Sequence, residues 1–272
     1  KRRSIDKIEC YIRNKIDFIG IYPPDLKDLD LVLTEIEKKL DICEISHCIC
    51  GEGRETGLPA IFIRGYGCNR RCEYCDTNYS YIGGDYEKIS VRNILDRVKM
   101  NQIQRNCNLI FLTGGEFTIQ ENLIYLVNTL KRHKYSIILQ TNGTTYIPEI
   151  FDKVDYLSVD VKGPSSGLLA DLSIIKKIYR RYHHKLQFKY IAASNEDFIY
   201  IKKTACRFPR ASNIISPVIS TSGIFENNFG DLVMTKALLN WVRKVERFCI
   251  ENDFEFSLQQ HKLVWNSERR GV

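Results

Sequence analysis

The chain has 272 residues, 44% hydrophobic and 27% charged, with 40 lysines and arginines against 33 aspartates and glutamates for a formal net charge of +7. That composition suits one large α/β domain and excludes a disordered chain, and the longest apolar runs, such as residues 60–63, fall far short of the roughly 20 residues a membrane span needs. The basic start leads into polar sequence rather than a signal-peptide core, so a cytoplasmic protein is expected. Its basic pairs, such as Lys176-Lys177 and Arg180-Arg181, read as solvated helix faces, with neither a membrane nor a nucleic acid as the expected partner.

After the turn at Pro23 and Pro24, Asp25 is placed to cap a helix in which Leu26, Leu29, Leu33, Ile36 and Leu40 recur at helical spacing. Residues 1–40 are therefore expected to form an N-terminal helical extension on a domain spanning 41–272. Short runs rich in β-branched and aromatic residues follow at 59–64, 108–112, 135–140, 155–160, 186–193, 213–218 and 254–259, each read as a strand. Helical segments lie between them, one opening after Ser90 and a long one at 231–252. The alternation predicts an α/β fold with a parallel sheet, and about seven units suit a partial (β/α) barrel whose ligands sit at the carboxyl ends of the strands.

Three of the ten cysteines, Cys68, Cys72 and Cys75, follow the first of these strands on a loop with glycines at 65 and 67. A structural zinc site wants four closed ligands, commonly two CxxC knuckles, and no second knuckle exists. Three thiolates can instead hold three irons of a [4Fe–4S] cluster and leave the fourth open to a small molecule, with Arg70 and Arg71 offsetting its negative charge. Cys10, Cys43, Cys107, Cys206 and Cys249 are scattered and read as small core hydrophobes, while an auxiliary metal role stays open for Cys48 and Cys50.

The C-x3-C-x2-C loop, with Tyr74 before its last cysteine, resembles the signature of the radical S-adenosylmethionine (SAM) superfamily, in which SAM chelates the open iron. Leu112 to Glu116 fits that superfamily's glycine-rich motif, which receives the SAM amino group. Residues 51–78, 160–167 and 258–262 are further similar to the 7-carboxy-7-deazaguanine synthase family. The resemblance implies a partial barrel of the radical SAM type and a lyase that contracts 6-carboxy-5,6,7,8-tetrahydropterin to 7-carboxy-7-deazaguanine with loss of ammonia. The product belongs to the deazapurine biosynthesis that leads to queuosine and archaeosine in modified tRNA. A [4Fe–4S] cluster, SAM and Mg2+ are the implied cofactors, a flavodoxin or ferredoxin is the implied electron donor, and a homodimer stays open.

Carried over by position, the resemblance assigns Cys68, Cys72 and Cys75 to the cluster and Thr77 to magnesium, with Asp76 supporting that loop. It assigns Tyr74, Thr113, Gly114, Gly115, Glu116, Asn142, Ser158, Asp160 and Lys162 to SAM. Substrate contacts fall on Cys50, Gly51, Glu52, Gly53, Arg64, Gly115, Gln259 and His261. Among these Glu52 would grip the pterin's guanidine-like edge, and Arg64, His261 and Lys262 would meet its carboxylate, the four being the catalytic set. The chain departs from the family where Cys50 replaces a substrate-facing glutamine, Ser216 another glutamine, and Phe117 a proline. A glycyl-radical-enzyme activase shares the cysteine loop, the glycine motif and Asp160-Val161-Lys162, and is the alternative enzyme. A non-catalytic metal protein binding RNA is the alternative from another class.

Overall fold

The computed structural model describes residues 34–105, 107–219, 223–226 and 232–264. Cys10, the expected cap Asp25 and the helix positions Leu26, Leu29 and Leu33 lie outside them. In chain order the elements are β1 (Lys39–Ile49), β2 (Pro59–Gly65), β3 (Glu87–Ser90), α1 (Val91–Arg105), β4 (Leu109–Gly114), α2 (Leu123–Arg132) and β5 (Ser136–Thr141). They continue with α3 (Pro148–Phe151), β6 (Tyr156–Asp160), α4 (Leu172–Tyr182), β7 (Leu186–Ala192), α5 (Asn195–Ala205) and β8 (Ser212–Pro217). The last are β9 (Ile224–Glu226), β10 (Leu232–Met234), α6 (Lys236–Asn252), β11 (Glu255–Phe256) and α7 (Gln260–Val264).

One nine-stranded sheet runs in the order β11-β8-β7-β6-β5-β4-β2-β1-β3. Strands β2, β4, β5, β6, β7, β8 and β11 are parallel, and β1 and β3 add antiparallel at one edge. The edges β3 and β11 do not pair, so the sheet is an open, partial barrel.

Each parallel strand but β11, whose Glu255 is exposed, is largely covered on both faces and reads as an apolar run. Side chains alternate, however, and the two parities have different tasks. Ile61 and Ile63, Ile110 and Leu112, Ile137 and Leu139, Leu157 and Val159, and Phe188 and Tyr190 belong to the main core. Buried side chains of the covering helices, such as Leu126 and Leu130 of α2 and Ile175 and Ile178 of α4, complete that core. The opposite parity faces the concave side. Phe62, Phe111, Ile138 and Tyr156 cluster there with Ala60 and Cys50, the Phe62 and Phe111 rings stacked at 4.7 Å. Arg64, Thr113 and Gln140 occupy the next positions toward the carboxyl ends, level with Ser158 and Gln187, and Asp160 and Lys189 stand one layer further. An apolar layer thus carries a polar layer above it.

Four expectations change. Leu40 is not on a helix but opens β1, buried and paired with Ile89 of β3. Residues 231–252 are not one helix: Leu232–Met234 pair with β9, and the Thr235 hydroxyl caps α6 by accepting from Leu238 N. The run at 254–259 supplies only a two-residue strand, because the chain leaves the sheet before α7. Cys206 is exposed at the C-cap of α5, beyond its last buried turn, whereas Cys107 and Cys249 are core residues as expected.

One buried carboxylate joins the fold to the loop after β6. Asp197, 0% exposed at the start of α5, accepts from Ala193 N and Ser194 N at 2.9 Å and from Ser165 N at 3.1 Å. Replacing it by alanine orphans three backbone donors. Asp197→Ala is expected to lower stability by about 2–3 kcal/mol, read as a lower denaturation midpoint at an unchanged m-value; an unshifted midpoint would refute this accounting.

Candidate active site

The carboxyl ends of the strands and the loops beyond them enclose a cavity of about 460 Å³, within the range of small-molecule sites. The loop after β2 forms one wall. Gly67 turns it with a φ of +96°, a left-handed value that disfavours a side chain, and its N–H donates to Ser80 O at 2.7 Å. The end of β4 packs directly behind: Glu116 N donates to Gly67 O at 2.8 Å, and a Cβ on Gly115 would stand 2.8 Å from the Cys68 Cβ. On the other flank Arg70 donates to Leu168 O at 2.9 Å and Leu169 O at 3.2 Å, and Glu73 N donates to Ser166 O at 3.2 Å.

This clamped loop carries Cys68, Cys72 and Cys75 as half-buried free thiols, all lining the cavity. Among the described residues no three Cys, His, Asp or Glu converge on a single metal ion. Three thiols of one loop, facing open space and without a fourth ligand, are the donor set of a cluster with one open iron. Burial raises the Cys68 and Cys72 thiols, while Lys162 and Arg70 favour the Cys72 thiolate. Cys48 and Cys50 lie apart from this loop, at and just after the end of β1. Both line the cavity, and burial pushes them to about 11 and about 12, so they are neutral thiols.

A buried chain of charges crosses the floor of the cavity. Lys189 of β7 donates to Glu52 Oε1 at 2.5 Å and stands 3.2 Å from Asp160 Oδ1, while Lys162 donates to Asp160 Oδ2 at 2.8 Å. Burial pushes the Glu52 carboxyl up, but the Lys189 ammonium beside it outweighs this and holds the group below its ordinary value. Burial disfavours the charged Lys189, yet Asp160 and Glu52 more than compensate and raise it. All four groups are therefore ionised at neutral pH. Tyr74 lies beside them, 5.7 Å beneath the Lys162 ammonium, and among the described residues its buried hydroxyl has no hydrogen-bond partner.

The chain's far end closes the opposite wall. Gln260 N donates to Gly51 O at 2.8 Å. Lys262 donates to Gln259 Oε1 at 2.9 Å and Ile219 O at 3.2 Å and pairs with Asp76 Oδ2 at 2.8 Å. An ammonium cannot accept, so the Gln259 oxygen must face it and the amide Nε2 faces Glu52 Oε2 and Asp76 Oδ2, both at 3.3 Å. These partners make Lys262 a brace between the chain's last turn and the thiol loop, and it lines the cavity as well. Arg64 lines the cavity with its Nε donating to Glu44 Oε1 at 2.7 Å, and the described residues give its terminal nitrogens no acceptor. Thr77 lines the cavity with Oγ1 3.8 Å from Cys75 Sγ.

Three expected contacts do not reach the cavity. The Glu116 carboxylate is 1% exposed and accepts from Thr118 N, Thr118 Oγ1, Thr141 Oγ1 and Asn142 N at 3.2, 2.6, 2.8 and 2.5 Å. It ties the end of β4 to the end of β5 instead. Ser158 is buried one layer below Asp160, and Gly53 donates to Ser257 Oγ at 3.0 Å behind the turn that presents Glu52. Cys50, Gly51, Thr113, Gly114, Gly115, Asn142, Gln259 and His261 do line it. Ser216, on β8, is fully buried off the cavity. Lys189, Glu44 and Gln140 were missed; the signal for Lys189 was a lone cation between Phe188 and Tyr190 in an otherwise apolar strand.

Burial raises the Asp76 carboxyl, but Lys262 dominates and lowers it to about 2. With an unfolded value of about 3.9, the pair contributes stability above that pH and loses it as pH falls toward 2. Lys262→Met is expected to flatten the pH dependence of the denaturation midpoint between about 4 and 2; an unchanged slope would show that the pair is not coupled to folding.

The sequence profile of the Radical SAM superfamily matches residues 62–223. The chain is 34% identical over 235 residues to a 7-carboxy-7-deazaguanine synthase of Haemophilus influenzae, covering 85% of this chain and 95% of that one. It is 29% identical over 240 residues to a protein of that name from Koribacter versatilis, covering 86% and 100%. Among solved structures, QueE from Escherichia coli shares the fold with a TM-score of 0.62 at 18% identity, over 85% of this chain and 98% of that one.

Proposed function

The chain belongs to the radical SAM superfamily and within it to the 7-carboxy-7-deazaguanine synthase family, and on that premise we propose that it converts 6-carboxy-5,6,7,8-tetrahydropterin to 7-carboxy-7-deazaguanine as a radical SAM lyase. The observation that carries this reading is the meeting of three free thiols and a charged, enclosed floor in one cavity. A glycyl-radical activase needs a groove open to a partner's backbone. The ionised Glu52, Arg64 and Asp160 suit a small polar heterocycle with a carboxylate instead.

Cys68, Cys72 and Cys75 would hold the [4Fe–4S] cluster, with Tyr74, Gly115, Asn142, Asp160 and Lys162 around SAM. One-electron reduction of SAM to a carbon-centred radical is the chemistry the cluster supplies when bound. Glu52, held ionised, accepts from the amino-pyrimidine edge of the pterin. The free terminal nitrogens of Arg64 suit its carboxylate as a two-pronged donor. Neutral His261, its imidazole lowered chiefly by burial, can accept or donate a proton beside them. Thr77 offers a hydroxyl to a magnesium ion that also takes substrate oxygens. A flavodoxin or ferredoxin as electron donor, a cytoplasmic location and delivery of the product to queuosine-type tRNA modification belong to the same reading. Among the described residues no helix is long and apolar enough to cross a membrane.

The test is anaerobic incubation of reconstituted protein with SAM, reductant and carboxytetrahydropterin, with products read by mass; intact pterin beside cleaved SAM would leave the scaffold and remove the substrate. Cys72→Ala is expected to abolish both the cluster's absorption and SAM cleavage. Glu52→Gln should lower pterin turnover by a factor that corresponds to about 2–5 kcal/mol and leave uncoupled SAM cleavage in place. Thr77→Val should retain the cluster and lose the stimulation by magnesium; if a chelator leaves wild-type turnover unchanged, the metal role fails.

A further inference from the structure

The carboxylate of Glu52 does not stand alone on the cavity floor. Its Oε1 sits 2.5 Å from Lys189 Nζ, so an acceptor, a second acceptor and a donor follow one another along Oε2, Oε1 and Nζ. Burial of Lys189 and its ion pair to Asp160 fix the row. An ammonium has three N–H donors. Glu52 accepts one, Asp160 Oδ1 stands 3.2 Å away as an ion pair, Lys189 is 4% exposed where it lines the cavity, and the described residues supply no further acceptor.

We propose that Lys189 is a specificity-determining residue that donates a further hydrogen bond to the carbonyl oxygen of a 2-amino-4-oxopyrimidine ring, beside the two N–H groups accepted by Glu52. That ring edge reads donor, donor, acceptor, through its amino group, its ring N–H and its carbonyl, and matches the row Oε2, Oε1, Nζ group for group. The inference rests on the pterin reading and deepens it, because Glu52 alone would accept equally from any amidine or guanidine. With Lys189 beside it the site demands an oxygen next to the ring N–H. The edge survives the proposed ring contraction unchanged, so the row holds substrate and product alike. Its loss should therefore weaken the binding of substrate and product alike.

The test measures binding rather than turnover. The oxidised ligand 6-carboxypterin and its 4-thioxo analogue, in which a weak sulfur acceptor replaces only the carbonyl oxygen, are titrated against the full chain by ligand fluorescence. Wild type is expected to prefer the oxo ligand about tenfold, the size of one charge-assisted hydrogen bond of modest strength. Lys189→Met should bring the ratio close to one and weaken the oxo ligand most. Equal binding of the two ligands by the wild type overturns the proposal, as does a preference that persists in Lys189→Met, which would then be steric. Should that variant fail to fold, the wild-type ratio decides alone. If neither ligand binds the wild type, the pterin reading itself has failed, and that result is distinct from the others.

Discussion

Lys189 is the constraint on which the site depends. It is one cation within bonding distance of two buried carboxylates that arrive from different places, Glu52 from the turn after β1 and Asp160 from the end of β6. Either carboxylate alone at that depth would tend to take up a proton. The shared ammonium keeps both charged, and a second lysine, Lys162, balances the remaining charge of Asp160. The two halves of the cavity, the one beside the thiol loop and the one beside Glu52, are thereby joined by electrostatics rather than by apolar contact. Truncating the lysine would leave charges uncompensated, which is the costly way to break a buried network.

The polar layer and the apolar core come from the same strands. One residue of each parity, such as Leu112 and Thr113, decides whether a strand position serves packing or chemistry. Rigidity is passed upward by groups that touch no ligand. Glu116 fastens the ends of β4 and β5, Asp197 fastens the loop after β6, and Asp76 with Lys262 fastens the thiol loop to the last turn of the described chain. These positions are saturated with hydrogen bonds, the arrangement that holds a reactive site in one geometry.

The parallel strands from 59 to 217 were legible because both of their faces are buried, so apolar content alone marks them. The thiol loop was legible because three cysteines at short spacing have few bland explanations. Strand β1 was not, and the reason is physical: its inward positions Glu44, Ser46 and Cys48 line the cavity, and its register shifts between Ile42 and Glu44. A strand that helps to make a site looks polar and irregular. Lys189 was overlooked because its meaning lies in partners distant in sequence. Glu116 was given a ligand by resemblance, whereas neighbouring protein donors already saturate it. Residue type indicates what chemistry a position can perform, and only packing shows whether the protein itself has claimed it.

The contact between Gln259 and Glu52 spans 207 positions of the chain, and that of Gln259 with Asp76 spans 183. Pairings of that separation form late, because the intervening chain must be ordered before they can close. During synthesis the thiol loop and the strands behind it emerge long before the lysine that clasps them. A nascent chain can therefore expose three oxidisable thiols on a folded platform whose far wall does not yet exist. The order of residues along the polypeptide thus sets an interval in which metal delivery has open access and oxygen has it too.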